Sequence, residues 1–255
     1  MGRLDGKVVI LLGVSNLDSM GAATAKRFAR EGASLVLASR RKEGWVSLAE
    51  ELGAVATTCD IREEADLERL AETAVSHYGR LDGAVNFAGV NSSSMILDVT
   101  RELLVDACEV HFIGTALFLK HMARKMANGG SLVTTSSLTA LLQPPRLAAY
   151  AGSKKGADQI VRIAANEFGE LGIRVNAIAP GFTRTEMTKS YFDNPILEQA
   201  FVREIPLGRL GTVEDIANAA LWLVSDESAS TTGQVIDVTS GQSLRRTPRG
   251  DELAV

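Results

Sequence analysis

Residues 7–23 read Lys-Val-Val-Ile-Leu-Leu-Gly-Val-Ser-Asn-Leu-Asp-Ser-Met-Gly-Ala-Ala. The apolar run Val8 to Leu12 is short and unbroken, as expected of a strand buried on both faces. After the turn, Ala22, Ala25, Phe28 and Ala29 share one helical face, and Gly32 suits a C-terminal cap. A strand that turns through glycine into a helix aims free backbone N–H groups at an anion. The spacing is not that of G-x-G-x-x-G, because Gly13 and Gly21 lie eight positions apart and Ser19 stands where a middle glycine is usual. Gly13, Ser19 and Ala25 fit G-x5-S-x5-A without insertion. Gly13 permits a close turn, Ser19 can cap the helix, and the N–H groups from Ser19 through Met20 and Gly21 to Ala22 would face a pyrophosphate. Asp18 opposes this unless it points away. An ordinary turn capped by Ser19 is compatible with the same residues.

The same strand-then-helix unit recurs along the chain. Strands are expected at Lys7–Leu12, Ser34–Ala38, Ala54–Thr57, Gly83–Asn86, Ser131–Thr135, Arg174–Ile178 and Gln234–Val238. The stretch at 66–79 carries Leu67, Leu70, Ala74 and Val75 at helical spacing. Such alternation predicts an α/β fold: a doubly wound, seven-stranded parallel sheet with helices on both faces. At 255 residues, with no repeat or linker, the chain is expected to form one domain over 1–255, with 245–255 a mobile tail. A net charge of −4 gives no general attraction to nucleic acid or anionic membrane. Val8 to Leu12 is too short for a signal or membrane segment. Cys59 and Cys108 form neither a ligand pattern nor a disulfide framework, which suits the cytoplasm. His77, His111 and His121 lack ligand spacing, so no metal is expected.

In doubly wound sheets, ligands sit beyond the carboxyl ends of the strands. The residues there are the Gly13 loop, Ser39-Arg40, Asp60, Asn86 to Gly89, Ser136-Ser137 and Pro180-Gly181. The set NFAG (86–89), TSS (135–137), YAGSK (150–154) and APGFTRTEM (179–187), followed by the segment 205–238, resembles the short-chain dehydrogenase/reductase family over roughly residues 5–244. The resemblance implies a Rossmann fold and hydride transfer between a nicotinamide cofactor and a carbonyl or secondary alcohol. It makes Tyr150 the acid/base, Ser137 the holder of the substrate oxygen, and Lys154 the tuner of Tyr150 and a ribose ligand. The chemistry fits the residue types. Tyrosine ionises near pH 10 unaided, and an ammonium one helical turn away lowers that value.

By the same resemblance the cofactor lies against Gly13, Ser15, Ser19, Met20 and Gly21 at the pyrophosphate end. Ser39, Arg40, Asp60 and Ile61 serve the adenosine, Asp60 accepting from the adenine amino group. Asn86, Ala88, Gly89, Tyr150, Lys154, Pro180, Gly181 and Thr183 complete the set. The end of the second strand offers Ser39 and Arg40 in place of an acidic residue. Arg40 can grip a 2′-phosphate with two N–H groups and Ser15 can add a hydrogen bond, which favours NADP(H) over NAD(H).

Several positions depart from the family pattern. His111 stands where the fourth catalytic residue is usually Asn, which leaves three readings: a tolerated replacement, an active proton relay, or lost activity. Phe87 replaces an amide, and Thr239-Ser240-Gly241 replaces Asp-Gly-Gly. The Gly13 loop resembles the enoyl-reductase branch, whose lysine lies seven positions after its tyrosine. Ala157 is there in this chain, so the active-site spacing speaks for ketone and alcohol chemistry. Enoyl reduction, or a non-catalytic cofactor-binding sensor or scaffold, are the alternatives.

The substrate pocket is expected between 91–96, 138–147 and 186–201. Leu141, Leu142 and Pro144 form one wall, and a lid carrying Met187, Tyr191, Phe192, Ile196, Leu197 and Phe201 forms the other. Arg146 and Arg184 are candidates for an anionic group. The substrate is therefore expected to be a partly apolar or cyclic small molecule. The helices around 100–127 and 150–170 resemble those that pair subunits in the family, which implies a dimer or tetramer.

Overall fold

The computed structural model describes residues 2–41, 45–185, 188–189, 194–249 and 252. Its strands are β1 (Val8–Leu12), β2 (Ser34–Ser39), β3 (Val55–Thr58), β4 (Gly83–Asn86), β5 (Gly130–Thr135), β6 (Ile173–Pro180) and β7 (Val235–Val238). They form one sheet in the order β3-β2-β1-β4-β5-β6-β7, and every pairing is parallel. The strand expectations hold to within one or two residues at each end. The helices are α1 (Met20–Arg30), α2 (Val46–Glu51), α3 (Glu64–Tyr78), α4 (Arg101–Cys108), α5 (Gly114–Lys125), α6 (Ala148–Phe168), α7 (Pro195–Arg203) and α8 (Val213–Val224). A π turn, Glu109–Ile113, joins α4 to α5.

Strand β1 shows why its sequence is continuously apolar. Val8, Ile10 and Leu12 enter the core under α3, α5 and α6, with Leu67, Leu70, Phe118, Met122 and Val161. Val9 and Leu11 enter the other core, under α1 and α8, with Phe28, Ile216 and Leu221. Alternate side chains point to opposite faces, and both faces are covered. The chain crosses over between β1 and β4, which are neighbours in the middle of the sheet. That is the switch point where such folds open a crevice at the carboxyl edge.

The C-terminal segment is more anchored than a free tail. Arg245 donates to the Arg203 carbonyl at 2.7 Å, and Arg246 pairs with Glu204 at 2.8 Å and with Glu252. Gly250, Asp251 and Leu253 to Val255 lie outside the described residues. No helix among the described residues is long and apolar enough to cross a membrane.

Helix α8 begins with a capping box. Thr212 Oγ1 accepts from the Asp215 N–H at 3.2 Å, and Asp215 Oδ2 accepts from the Thr212 N–H at 2.9 Å. Because α8 packs against α1 across the second core, the loss should reach global stability. Thr212→Ala is expected to cost about 1 kcal/mol, read as a fall of roughly 2–4 °C in the calorimetric Tm.

Candidate active site

Tyr150 and Lys154 lie one turn apart on α6 and face the carboxyl ends of β4 and β5. Lys154 is 4% exposed. Its Nζ donates to the Thr135 carbonyl at 2.6 Å and lies 5.9 Å from the centre of the Tyr150 ring. Burial lowers the lysine to a pKa of about 8, and the negative charge of Asp158 opposes that fall. The expected drop in the Tyr150 pKa is not seen. Burial pushes the phenol above its usual value, and the Ser137 hydroxyl only partly offsets this. Removing water from around a phenolate is the larger effect at this site.

Ser137 caps the short turn after β5. Its Oγ accepts from the Thr139 N–H at 3.2 Å and from Thr139 Oγ1 at 3.0 Å. A hydroxyl has two lone pairs and one proton. Thr139 fills both lone pairs, so Ser137 is left as a donor, poised to hold an electron-rich oxygen. Sequence reading missed Thr139; only its position two residues after the candidate Ser137 signalled it.

His111 lies in the π turn, 1% exposed. Its Nε2 accepts from the Val90 N–H at 3.1 Å, which puts the ring proton on Nδ1, 2.9 Å from Ser153 Oγ. Ser153 in turn donates to the Tyr150 carbonyl at 2.9 Å, and the imidazole meets the Tyr150 ring edge-on at 5.1 Å. Both ring nitrogens are thus committed to holding the Val90 segment and the start of α6. Burial first, then the positive charges of Lys154 and Arg62, hold the ring neutral, with a pKa of about 3. Of the three readings of this position, the geometry favours a tolerated replacement that braces the site. The helix is distorted around His111 into the π turn.

The Gly13 loop is built to admit a phosphate. Gly13 has φ +96, and a Cβ there would lie 2.6 Å from the Ala88 nitrogen. At Gly21 a Cβ would lie 2.9 Å from the Gly13 carbonyl oxygen. Ser19 is the N-cap of α1 and accepts from the Ala22 N–H at 3.1 Å. Its own N–H is spent on the Asn16 carbonyl. The expected four free N–H groups are therefore two, those of Met20 and Gly21, for which no described residue supplies an acceptor. Asp18 is exposed and folds its N–H onto Asn16 Oδ1 at 3.0 Å. Ser15 is exposed beside them. A glycine cradle with unclaimed N–H donors fits a pyrophosphate.

The remaining candidates gather along the same edge. Ser39 ends β2, and Arg40 reaches toward Asp60 at 4.0 Å with its side chain 57% exposed. Asp60 Oδ1 accepts from the Arg62 N–H at 3.1 Å, and Ile61 is buried. Asn86 Oδ1 accepts from the Ala88 N–H at 2.9 Å, and the open flank of Gly89 is bounded by His111. Pro180 ends β6, Gly181 lies against Thr239, and Thr183 Oγ1 donates to the Gly181 carbonyl at 2.9 Å. Thr239, one of the residues replacing the family's Asp-Gly-Gly, thus walls the Pro180-Gly181 turn. Among the described residues no group of three His, Cys, Asp or Glu gathers to hold a metal.

On the substrate side the expectations divide. Leu141 is 48% exposed and Ile196 56%, free to line a pocket. Phe201 instead packs into a small core with Ile205 and Leu210, and its ring stacks on Phe182 at 3.8 Å. Arg184 is paired with Glu198, so it is not a spare cation for a substrate anion. Arg146 has a left-handed backbone, φ 72, and borders a cavity of about 430 Å³ with Met95, Ile96, Thr139 and Pro144. Met187, Tyr191 and Phe192 lie outside the described residues.

Comparison with known proteins agrees with this fold. A family model described as enoyl-(acyl carrier protein) reductase matches residues 13–243. A mitochondrial borneol dehydrogenase of Lavandula x intermedia is 34% identical over 95% of this chain and 92% of its own. The 3-oxoacyl-[acyl-carrier-protein] reductase of Thermotoga maritima is 32% identical over 94% and 98%. A solved short-chain dehydrogenase/reductase from Mycobacterium ulcerans superposes with a TM-score of 0.93 at 31% identity, covering 98% of this chain and 94% of that one.

A buried neutral histidine makes stability depend on acid. The unfolded chain binds a proton below about pH 6.5, and the folded chain does so only near pH 3. Stability is full above pH 6.5 and falls as pH drops through this window, with a limiting slope of about 1.4 kcal/mol per pH unit from this residue. In urea titrations from pH 7 to 4, His111→Asn is expected to flatten that fall.

Proposed function

The chain belongs to the short-chain dehydrogenase/reductase family, and from that premise we propose that it is an NADP(H)-dependent oxidoreductase acting on a ketone or secondary alcohol. The observation that carries the reading is the convergence of a Ser137 that can only donate, the Tyr150 phenol and the Lys154 ammonium at one strand edge. Bound NADPH would supply the hydride to the carbonyl carbon. Ser137 and Tyr150 then donate to the carbonyl oxygen, and Tyr150 gives up its proton as negative charge develops there. Lys154 stabilises the phenolate that remains, and Thr135 fixes the lysine by its carbonyl. In the oxidative direction Tyr150 takes the proton back.

Preference for the 2′-phosphate rests on Arg40. Nothing acidic ends β2, and the guanidinium is mostly exposed and only loosely approached by Asp60, so it keeps donors for two phosphate oxygens. The half-exposed Leu141, Ile196 and Met95 support a partly apolar or cyclic substrate. Leu104, Val105, Phe112, Ile113 and Ile163 are 38–45% exposed along α4, the π turn and α6, which supports a homo-oligomer. Cys59 and Cys108 are free thiols, in keeping with one domain working in the cytoplasm.

The Gly13 loop and the description of the matching family model favour a second reading, an enoyl reductase. Ala157 counts against it, since a buried methyl holds neither ribose nor proton. Fluorescence titration is expected to give tighter binding of NADPH than NADH, with Arg40→Ala weakening NADPH about tenfold, the loss of one charge-assisted contact. Equal binding of both cofactors removes the Arg40 argument. In NADPH-coupled assays on cyclic ketones, Tyr150→Phe is expected to lower kcat by about 10²–10⁴-fold. Enoyl turnover that survives this substitution would favour the second reading.

A further inference from the structure

One buried acid lies outside the reaction derived above. Asp158 is on α6, one turn beyond Lys154 and on the same face, and is 3% exposed. Its Oδ1 has no hydrogen-bond partner, and neither has the buried Oγ of Ser136, at the end of β5. The two approach closely enough for the hydroxyl to favour the carboxylate, without completing a bond. Two orphaned polar atoms in a core are costly, and a leucine would fill the space without that cost. Their retention at the foot of the catalytic lysine asks for a reason.

We propose that Asp158 is the counter-charge that keeps the buried Lys154 an ammonium, and so is a positioning residue for the proton transfer assigned to Tyr150. The inference rests on that reading of the site. Lys154 Nζ has the Thr135 carbonyl as its hydrogen-bond acceptor, but a carbonyl is a dipole and does not balance a charge. Among the described residues, the only acidic group acting on Lys154 is Asp158. The two make no contact ion pair, so the carboxylate works through space across a dry interior, where charges act at longer range than in water. Burial raises the Asp158 pKa above the usual carboxylate value, and Ser136, just after β5, with Lys155, Arg162 and Lys154 of its own helix, partly offsets that rise. Among the described residues no charged group of α4, α5 or β6 adds to these. His111 stays neutral beside Lys154 and contributes no negative charge. The carboxylate therefore answers a problem that the other groups around Lys154 leave open. Without it, burial alone favours a neutral amine.

The test follows Lys154 directly. Full-length protein labelled with ¹³C-lysine is titrated by NMR, with Lys154→Met assigning the resonance. The wild-type transition is expected near pH 8, and Asp158→Asn should move it down by roughly one pH unit. In ketone reduction, the alkaline limb of the kcat profile should move down by the same amount, with KM for the ketone unchanged. Asp158→Glu should restore part of both shifts. Should Asp158→Asn fail to fold, Ser136→Ala keeps the carboxyl but withdraws its support, and a downward shift of the Lys154 transition is again expected. A Lys154 transition that stays in place in these variants overturns the proposal. If the wild type reduces no ketone, the reaction reading fails, while the NMR arm still decides the role of Asp158.

Discussion

The ammonium of Lys154, held 2.6 Å from the Thr135 carbonyl, joins helix α6 to the edge of the sheet. The groups proposed to be catalytic, on both elements, take their positions from that junction. Thr135 is in turn bound to the next strand, donating its hydroxyl to the Asn86 carbonyl at 2.8 Å. Asn86 folds its side chain over the Ala88 N–H, in the turn against which Gly13 packs. A short chain of polar contacts therefore runs from Lys154 to the Gly13 loop along the carboxyl edge of β5, β4 and β1. Parallel strands make this possible, because only then do three successive strand ends lie side by side.

The fold was legible because burial on both faces leaves an unmistakable mark. Runs such as Val8–Leu12 are apolar throughout, and each is followed by glycine or a small polar residue at the ligand edge. Strand limits differed by a residue or two because pairing is set by the neighbouring strand. Ser39 joins β2, for example, through its register with Thr58 of β3. The site was legible where chemistry fixes spacing: Tyr150 to Lys154 is one helical turn in any setting. What could not be read was who satisfies whom. Thr139 on Ser137, Ser153 on His111 and Glu198 on Arg184 are contacts of tertiary origin or local conformation, with no periodic signature. The Tyr150 pKa went the other way from expectation because spacing shows the neighbouring charge and hides the loss of water.

The His111 position shows how a replacement can keep a shape while changing its chemistry. An imidazole held neutral spans from Val90 to Ser153, bracing the segment after β4 against the start of α6. It does so from a π turn, whose wider loop leaves room for a ring inside an otherwise continuous helical stretch. The cost is borne in acid, since that room is dry and has no place for a second ring proton.

The two hydrogen bonds that Ser137 receives from Thr139 give the reaction centre a direction. Protons there point one way: from Thr139 to Ser137, and from Ser137 outward. A reacting atom with a lone pair to offer Ser137 completes the chain, and any hydrogen it carries faces Tyr150, whereas an atom without a lone pair meets hydrogen. In the function proposed above, the site would thus work as a filter on the polarity of the atom presented to it. It would favour carbonyl, alkoxide and alcohol oxygens over protonated amines and iminium nitrogens of the same shape, which have no lone pair to offer Ser137. Discrimination of that kind needs no wall and no lid, and it would persist through large changes in the loops that surround the pocket.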